Sequence, residues 1–201
     1  FFKRGMLSLG ITRAGAIAGS NHGETKHNYQ LNFLLGSGQS ANVVDKFNGI
    51  SMSINTLNPE SSGYIKIKSN NPHDDPLIQP NYFSSNVDLD KHINGIEIIR
   101  KISKTSPLSE FIIKEHLPGS ALTKKQDLID FIKDTSTTVY HPTGTCRIGD
   151  DNKGVVDDKL RVIGIKNLRV CDASIFPESI TGNPVASCYL AGMVLVNDII
   201  S

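Results

Sequence analysis

The segment that opens at Asn183-Pro184 constrains the fold more than any other part of the chain. Asn is a preferred helix N-cap, and Pro is best tolerated at the first helical position. The dipeptide therefore predicts a helix start, with the helix reaching residue 200. Val185, Tyr189, Leu190, Met193, Val194, Val196, Ile199 and Ile200 spread apolar side chains nearly all round it. A helix without a polar face needs partners on every side, which predicts deep burial. The pattern is not that of a membrane span. The apolar stretch 186–196 is short against the roughly 20 residues that a bilayer requires, and no longer apolar run occurs elsewhere.

Composition narrows the class further. The chain has 201 residues, 38% hydrophobic, with 21 Lys+Arg against 20 Asp+Glu and a net charge of +1. That balance gives no electrostatic case for nucleic acid or anionic lipid. Aliphatic residues spread along the whole length exclude a disordered class. Cys146, Cys171 and Cys188 are odd in number, widely spaced and without CxxC, so neither a disulfide framework nor a zinc site is signalled, and the compartment is left open. His22, His27, His73, His92 and His116 have no metal-ligand spacing, so no metal site is read from the sequence. The start, Phe1-Phe2-Lys3-Arg4-Gly5, lacks an initiating Met and the layout of a signal peptide, and it reads as a cut.

Before residue 70 the signal is loop and strand. Alternation of apolar and polar residues marks strands over 29–34, 51–55 and 64–68, and the Pro/Ser/Gly break at 59–63 predicts that the last two pair as a long-loop hairpin. The Gly/Ala-rich stretch 13–23 has no period that places it. Pro72, Pro76 and Pro80 predict an extended connector over 72–86. A helix over 88–104 follows, striped by Leu89, Ile93, Ile96, Ile99 and Ile102. Another covers 124–134, opened by a capping box of Thr123 with Gln126 and buried through Leu128, Phe131 and Ile132. Strands followed by helices predict an antiparallel sheet with helices on one side.

From 139 onward the chain becomes dense in Gly and turn residues, with short apolar runs at 161–165 and 168–171 that predict short strands. Two features there carry chemistry. His141 sits in a turn, Tyr140-His141-Pro142-Thr143-Gly144-Thr145-Cys146-Arg147, and Asn183 stands at the nose of the apolar helix. A His titrates near neutrality and serves as a general base. A helix N-terminus offers free N–H groups and about half a positive charge, so it stabilises an anion placed on it. A base beside a cationic pole suits removal of a proton and a hydride from an alcohol. Cys146 lies too near His141 in one loop, with no oxyanion or orienting-acid pattern, for a cysteine hydrolase. Asp157 reads as a turn residue. Asp172 reads equally as a strand-end residue or as one close to a cofactor.

These stretches resemble the C-terminal signature of the glucose–methanol–choline (GMC) flavoprotein oxidoreductases. The likeness rests on 141–149 (HPTGTCRIG), 154–157 (GVVD), 160–164 (LRVIG), 167–174 (NLRVCDAS), Pro177 and 182–184 (GNP), in that order and spacing. More weakly, 63–102 is similar to the family's substrate domain, in particular its insect glucose-dehydrogenase-like branch. The resemblance implies FAD as cofactor. It implies His141 as the residue that accepts the hydroxyl proton while hydride passes to flavin N5, and Asn183 as the second catalytic residue, orienting the alcohol oxygen. It implies Tyr140 near the flavin, Asp172 and Ala173 by its ribityl and pyrophosphate, and Asn183, Pro184 and Val185 by its N1–C2=O2 edge. The partners it implies are an alcohol or sugar and an electron acceptor, oxygen or quinone-like.

No GxGxxG motif follows a strand in these 201 residues, and the acidic residue expected for an adenosine ribose is missing with it. Gly192-Met193 stands where many relatives carry a charged pair. The reading is therefore of the C-terminal part of a longer enzyme, inactive without the rest. Its fold is α+β: an antiparallel-sheet substrate domain with flanking helices over 1–145, and over 146–201 the closing segment of an α/β FAD-binding domain. The competing reading is a truncated or divergent homologue that acts only through protein contacts.

Overall fold

The computed structural model describes residues 12–19, 27–37, 45–150 and 152–200. Among these residues the architecture is mixed α+β, with antiparallel sheets and three α-helices. The chain divides into two units, one formed by Phe1–Thr56 with Ser85–Thr137 and the other by Leu57–Ser84 with Thr138–Ser201. Among the described residues no helix is long and apolar enough to cross a membrane.

In the first unit, strands β1 (Thr12–Ala18), β2 (Tyr29–Leu35) and β3 (Ile50–Thr56) form one antiparallel sheet in that order. The register sets Leu31 opposite Ile54, Phe33 opposite Met52 and Leu35 opposite Ile50, so the apolar members of both alternating runs share a face. Strand β1 falls in the Gly/Ala-rich stretch that showed no period. It is an edge strand paired through its backbone, with a register irregularity between Thr12 and Ala14. The rest of that stretch, 20–23, lies outside the described residues, as do the first residues of the chain.

Helix α1 (Asn86–Ser103) packs on β3. Ser85 caps it, its hydroxyl accepting from the Val87 N–H at 3.1 Å. Leu89 is fully buried, the isoleucines after it are half-buried, and Ile102 emerges at the end. The contact is close at Gly95, where a Cβ would stand 2.2 Å from Ile54 Cδ1. One residue earlier Asn94 Nδ2 donates to the hydroxyl of buried Tyr29 at 3.2 Å. Helix α2 (Lys125–Thr135) packs on α1 through buried Leu128 and Ile132, while Phe131 is half-buried. The expected capping box is absent. The N-cap residue is Lys124, without a side-chain bond, and Gln126 donates instead to Asp130 one turn on at 2.9 Å. Thr123 lies one residue too early for its hydroxyl to serve as the cap.

The second unit corrects the expected hairpin. Strand β3 is already paired with β2, and β4 (Tyr64–Lys66) pairs with β5 (Leu77–Gln79), which emerges from the supposed connector. The link between them is tied by Asp74, whose carboxylate accepts from Ser69 Oγ at 2.7 Å and Asn71 Nδ2 at 2.9 Å. The remainder, 138–184, is turns and isolated bridges where short strands were expected: Ile148 with Val156, Val156 with Val162, and Arg161 with Arg169. Its core is Val156, Leu160 and Ile175, with Ile148, Val170, Cys171 and Phe176 around them.

Helix α3 (Val185–Ile200) departs most from expectation, since none of its residues is buried. Ala191 and Leu195, four apart on one stripe, pack on the core, and Asp198 accepts from Arg169 Nη1 at 2.8 Å. The other apolar side chains face outward, because no described segment lies against them. The helix also starts one residue late. Pro184 contributes the first accepting carbonyl, to Cys188 N–H at 2.9 Å, and so occupies the cap position assigned to Asn183.

Candidate active site

The loop that carries His141 is shaped by its glycines and by two strand-like hydrogen bonds. Gly144 adopts φ +88°, a left-handed conformation that side chains resist, and lets the chain reverse after Pro142. Beyond it, Cys146 N–H donates to Ser174 carbonyl at 3.0 Å and Ile148 N–H to Ile175 carbonyl at 2.8 Å. The His141 loop thus runs alongside the turn that begins at Asp172. Its far end is closed by Gly154, where an added Cβ would lie 2.1 Å from the Gly149 oxygen, and by the Val155 N–H bond to Arg147 carbonyl at 2.9 Å. Gly149 and Gly154 belong to the motif segments 141–149 and 154–157, and the backbone contact between them is the reason for that pattern.

His141 itself is half-buried. Tyr140, before it, is 80% exposed at φ +61°, with its N–H donating to Thr138 Oγ1 at 3.0 Å. Asp172 caps a short 3₁₀ turn, Ala173–Ile175: its Oδ1 accepts the Ser174 N–H at 2.8 Å and also the Ser174 hydroxyl. These bonds, the hydroxyl's first, hold its carboxyl below the usual carboxylate range. Asp157 has the structural role read for it. Oδ1 accepts from Lys159 N–H and Arg161 N–H, each at 2.9 Å, and Oδ2 from Arg161 Nε at 2.8 Å. The Arg161 backbone bond is the main reason its carboxyl is also held low.

Asn183 lies exposed just ahead of α3, after Gly182 at φ +108°, while Pro184 is buried and Val185 is exposed. The opening turn of α3 contains no acidic residue, so the helix itself supplies no charge against the positive end of its dipole. Its first N–H groups have no intrahelical acceptor by construction. This donor set fits the anionic edge of a flavin, whereas a cation would be repelled.

The three segments share a core. Ile148 from the His141 loop, Cys171 and Phe176 from the Asp172 turn, and Ala191 and Leu195 from α3 all pack on Val156, Leu160 and Ile175. Val156 is 0% and Ile175 2% exposed, so this is where the unit is most rigidly built.

The family model for GMC oxidoreductases matches residues 59–192, which takes in β4, β5, the first two helices and all the motif segments above. This chain belongs to the GMC oxidoreductase family. The alcohol dehydrogenase [acceptor] of Pseudomonas putida is 37% identical over 195 residues, covering 91% of this chain and 33% of that protein. An oxygen-dependent choline dehydrogenase of Cronobacter sakazakii is 36% identical over 159 residues, covering 79% of this chain and 28% of that protein. Among solved structures, pyridoxine 4-oxidase from Mesorbium loti superposes with TM-score 0.84 at 24% identity, over 94% of this chain and 38% of its own. Aspergillus oryzae formate oxidase, in a structure that concerns its FAD modification, superposes with TM-score 0.78 at 26% identity, over 86% of this chain and 31% of its own. The chain spans about a third of the length of these GMC relatives.

Proposed function

We propose that this chain supplies the catalytic side chains and the substrate domain of an FAD-dependent oxidoreductase acting on the CH–OH group of an alcohol or sugar. The observation that supports it best is the common core beneath the His141 loop, the Asp172 turn and the middle of α3. It joins in one unit the segments that a GMC site requires.

In this reading His141 takes the hydroxyl proton, and Asn183 holds the alcohol oxygen through its carboxamide. The first N–H groups of α3, at Val185 and beyond, hold negative charge at the flavin's pyrimidine edge. Asp172 and Ala173 line the approach of the ribityl and pyrophosphate, and Tyr140 lies beside the ring. Bound FAD supplies the hydride acceptor. Asp172 keeps its capping bonds, so its contribution to the cofactor is a fixed negative charge and an ordered turn, and it carries no proton. We assign 1–145 to the substrate domain and 146–201 to the closing segment of the FAD-binding domain, with the outward apolar faces of α3 covered by the rest of that domain. The names of the relatives support an alcohol substrate, and we take the electron acceptor to be oxygen or quinone-like.

The test is His141→Ala in the whole enzyme. Loss of a general base lowers kcat by about 10²–10⁴-fold, with the flavin absorbance of the purified variant unchanged. Turnover within a few-fold of the parent would refute the assignment of the base.

A further inference from the structure

The tetrapeptides 47–50 (Phe-Asn-Gly-Ile) and 93–96 (Ile-Asn-Gly-Ile) differ in one apolar residue, and they contain the two Asn-Gly steps of the chain. Asn is a labile residue, and Gly after it makes it more so. The backbone N–H of the following residue can attack the asparagine side-chain carbonyl, and glycine, having no side chain, leaves that approach open. With the local chemistry matched, the fold decides which step reacts.

The two steps stand in opposite surroundings. Asn94 lies inside α1, where the Gly95 N–H is committed to the carbonyl four residues back. Its side chain is held as well, Nδ2 donating to the Tyr29 hydroxyl at 3.2 Å. Gly95 is buried so closely that an added Cβ would stand 2.2 Å from Ile54 Cδ1. Closing a ring there requires α1 to unwind and lift off β3. Asn48, by contrast, is exposed in the irregular segment that leads into β3. Among the described residues no backbone acceptor takes the Gly49 N–H, and only the Gly49 carbonyl is engaged, accepting from Gly36 N–H at 3.1 Å.

We propose that Asn48 is a site of spontaneous covalent modification, and that the fold protects Asn94 from the same reaction. Gly49 N forms a bond to Asn48 Cγ as the Cγ–Nδ2 bond breaks. Nδ2 leaves as ammonia, taking the proton that Gly49 N gives up. Water then adds to one of the two carbonyls of the cyclic imide and reopens it. The chain continues through its original carbonyl, as aspartate, or through the side chain, as isoaspartate. No electrons are exchanged, and water is the co-reactant. Either product puts a carboxylate ahead of β3, and isoaspartate also lengthens the backbone by a methylene just before Ile50. That shifts the Gly49 carbonyl away from Gly36 and loosens the end of the β2–β3 pairing, where Leu35 lies opposite Ile50.

The whole enzyme, kept folded at mildly alkaline pH and then cleaved after Lys and Arg, yields Asn48 in peptide 47–66 and Asn94 in peptide 92–100. In the folded enzyme 47–66 is expected to convert with time to species heavier by the exchange of an amino for a hydroxyl group, while 92–100 stays unchanged. In urea both peptides are expected to convert at similar rates. Asn48→Gln, whose longer side chain needs a larger ring, is expected to leave 47–66 unconverted. The urea midpoint of the aged parent is expected to drift down, and that of aged Asn48→Gln to hold. The proposal is overturned if 47–66 stays intact in the folded enzyme over the time in which the urea sample converts. It is equally overturned if 92–100 converts alongside 47–66 in the folded enzyme, or if the change in 47–66 maps to Asn55 or Asn58. A midpoint that falls as far in Asn48→Gln as in the parent would overturn the consequence drawn for β3.

Discussion

A methyl group added at residue 154 has nowhere to go, since it would meet the Gly149 carbonyl oxygen at 2.1 Å and the carbon beneath it at 2.6 Å. Both are backbone atoms and cannot step aside. Gly154→Ala is accordingly expected to cost about 3 kcal/mol, the upper range for forced overpacking, in a chemical unfolding experiment. A loss within error of zero would show that the 149–154 turn relaxes freely. Asp157, three residues on, makes a different case. Its carboxyl, like those of Asp172 and Asp198, is held lower in the folded chain than in the unfolded one. As pH falls the unfolded chain therefore takes up protons first. The stabilisation is complete above the unfolded value, roughly 4 for an aspartate, and disappears as pH falls through the lower folded values. Asp157→Asn should be less stable than the parent at neutral pH and should lose less on acidification. Parallel curves of urea midpoint against pH would contradict this. At this scale the sequence was highly legible: glycine and aspartate each occupy their motif position for one local bond or one close contact. Asn183 shows the limit. Its place at the nose of the helix could be read, but which of two adjacent residues offers the first carbonyl depends on how the turn enters the helix.

Elements were legible where one face is buried and ambiguous where it is not. The 88–104 stripe gave α1 to within two residues, because Leu89 and the isoleucines after it face the sheet and enforce the period. The hairpin was misread because β4 and β5 are three residues each and wholly exposed, so alternation marks a strand but not its partner. That partner is chosen by the Ser69–Asn71–Asp74 turn and by Gly63, where an added Cβ would stand 2.1 Å from the Gln79 carbonyl oxygen. Packing between elements is tightest at Gly95 and Ile54. Gly95→Ala gains about 1 kcal/mol of helix propensity and incurs an overpacking cost of about 1–3 kcal/mol, for a net loss near 1 kcal/mol. The nearest atom, Ile54 Cδ1, is the one that Ile54→Val removes. In the Ile54→Val background Gly95→Ala is therefore expected to be neutral or stabilising, with a coupling of about 1 kcal/mol between the two sites. Strictly additive effects would mean that the contact does not limit how closely α1 approaches β3.

Over the whole molecule the open question is what α3 is for. Its sequence announces an apolar cylinder, and burial was inferred from that, yet the described residues cover only the stripe of Ala191 and Leu195. Hydrophobic patterning says that a surface avoids water; it does not say which segment keeps water off. The family assignment explains why the pattern outruns the structure, for the relatives are about three times as long as this chain. A chain that presents Leu190 at 62% and Met193 at 67% exposure beside Tyr189 and Val194 carries a contiguous apolar patch of the kind that drives association. The 201-residue chain by itself is therefore expected to bind a hydrophobic dye strongly and to self-associate as concentration rises. Leu190→Lys with Met193→Lys should suppress both while leaving the circular dichroism spectrum in place, because neither side chain contributes to the Val156–Leu160–Ile175 core. If the double variant instead loses its helical signal, the outward face of α3 is supporting this chain's own fold. If it self-associates as before, the sticky surface lies elsewhere, and the exposed Ile67, Phe111 and Ile113 become the positions to charge next.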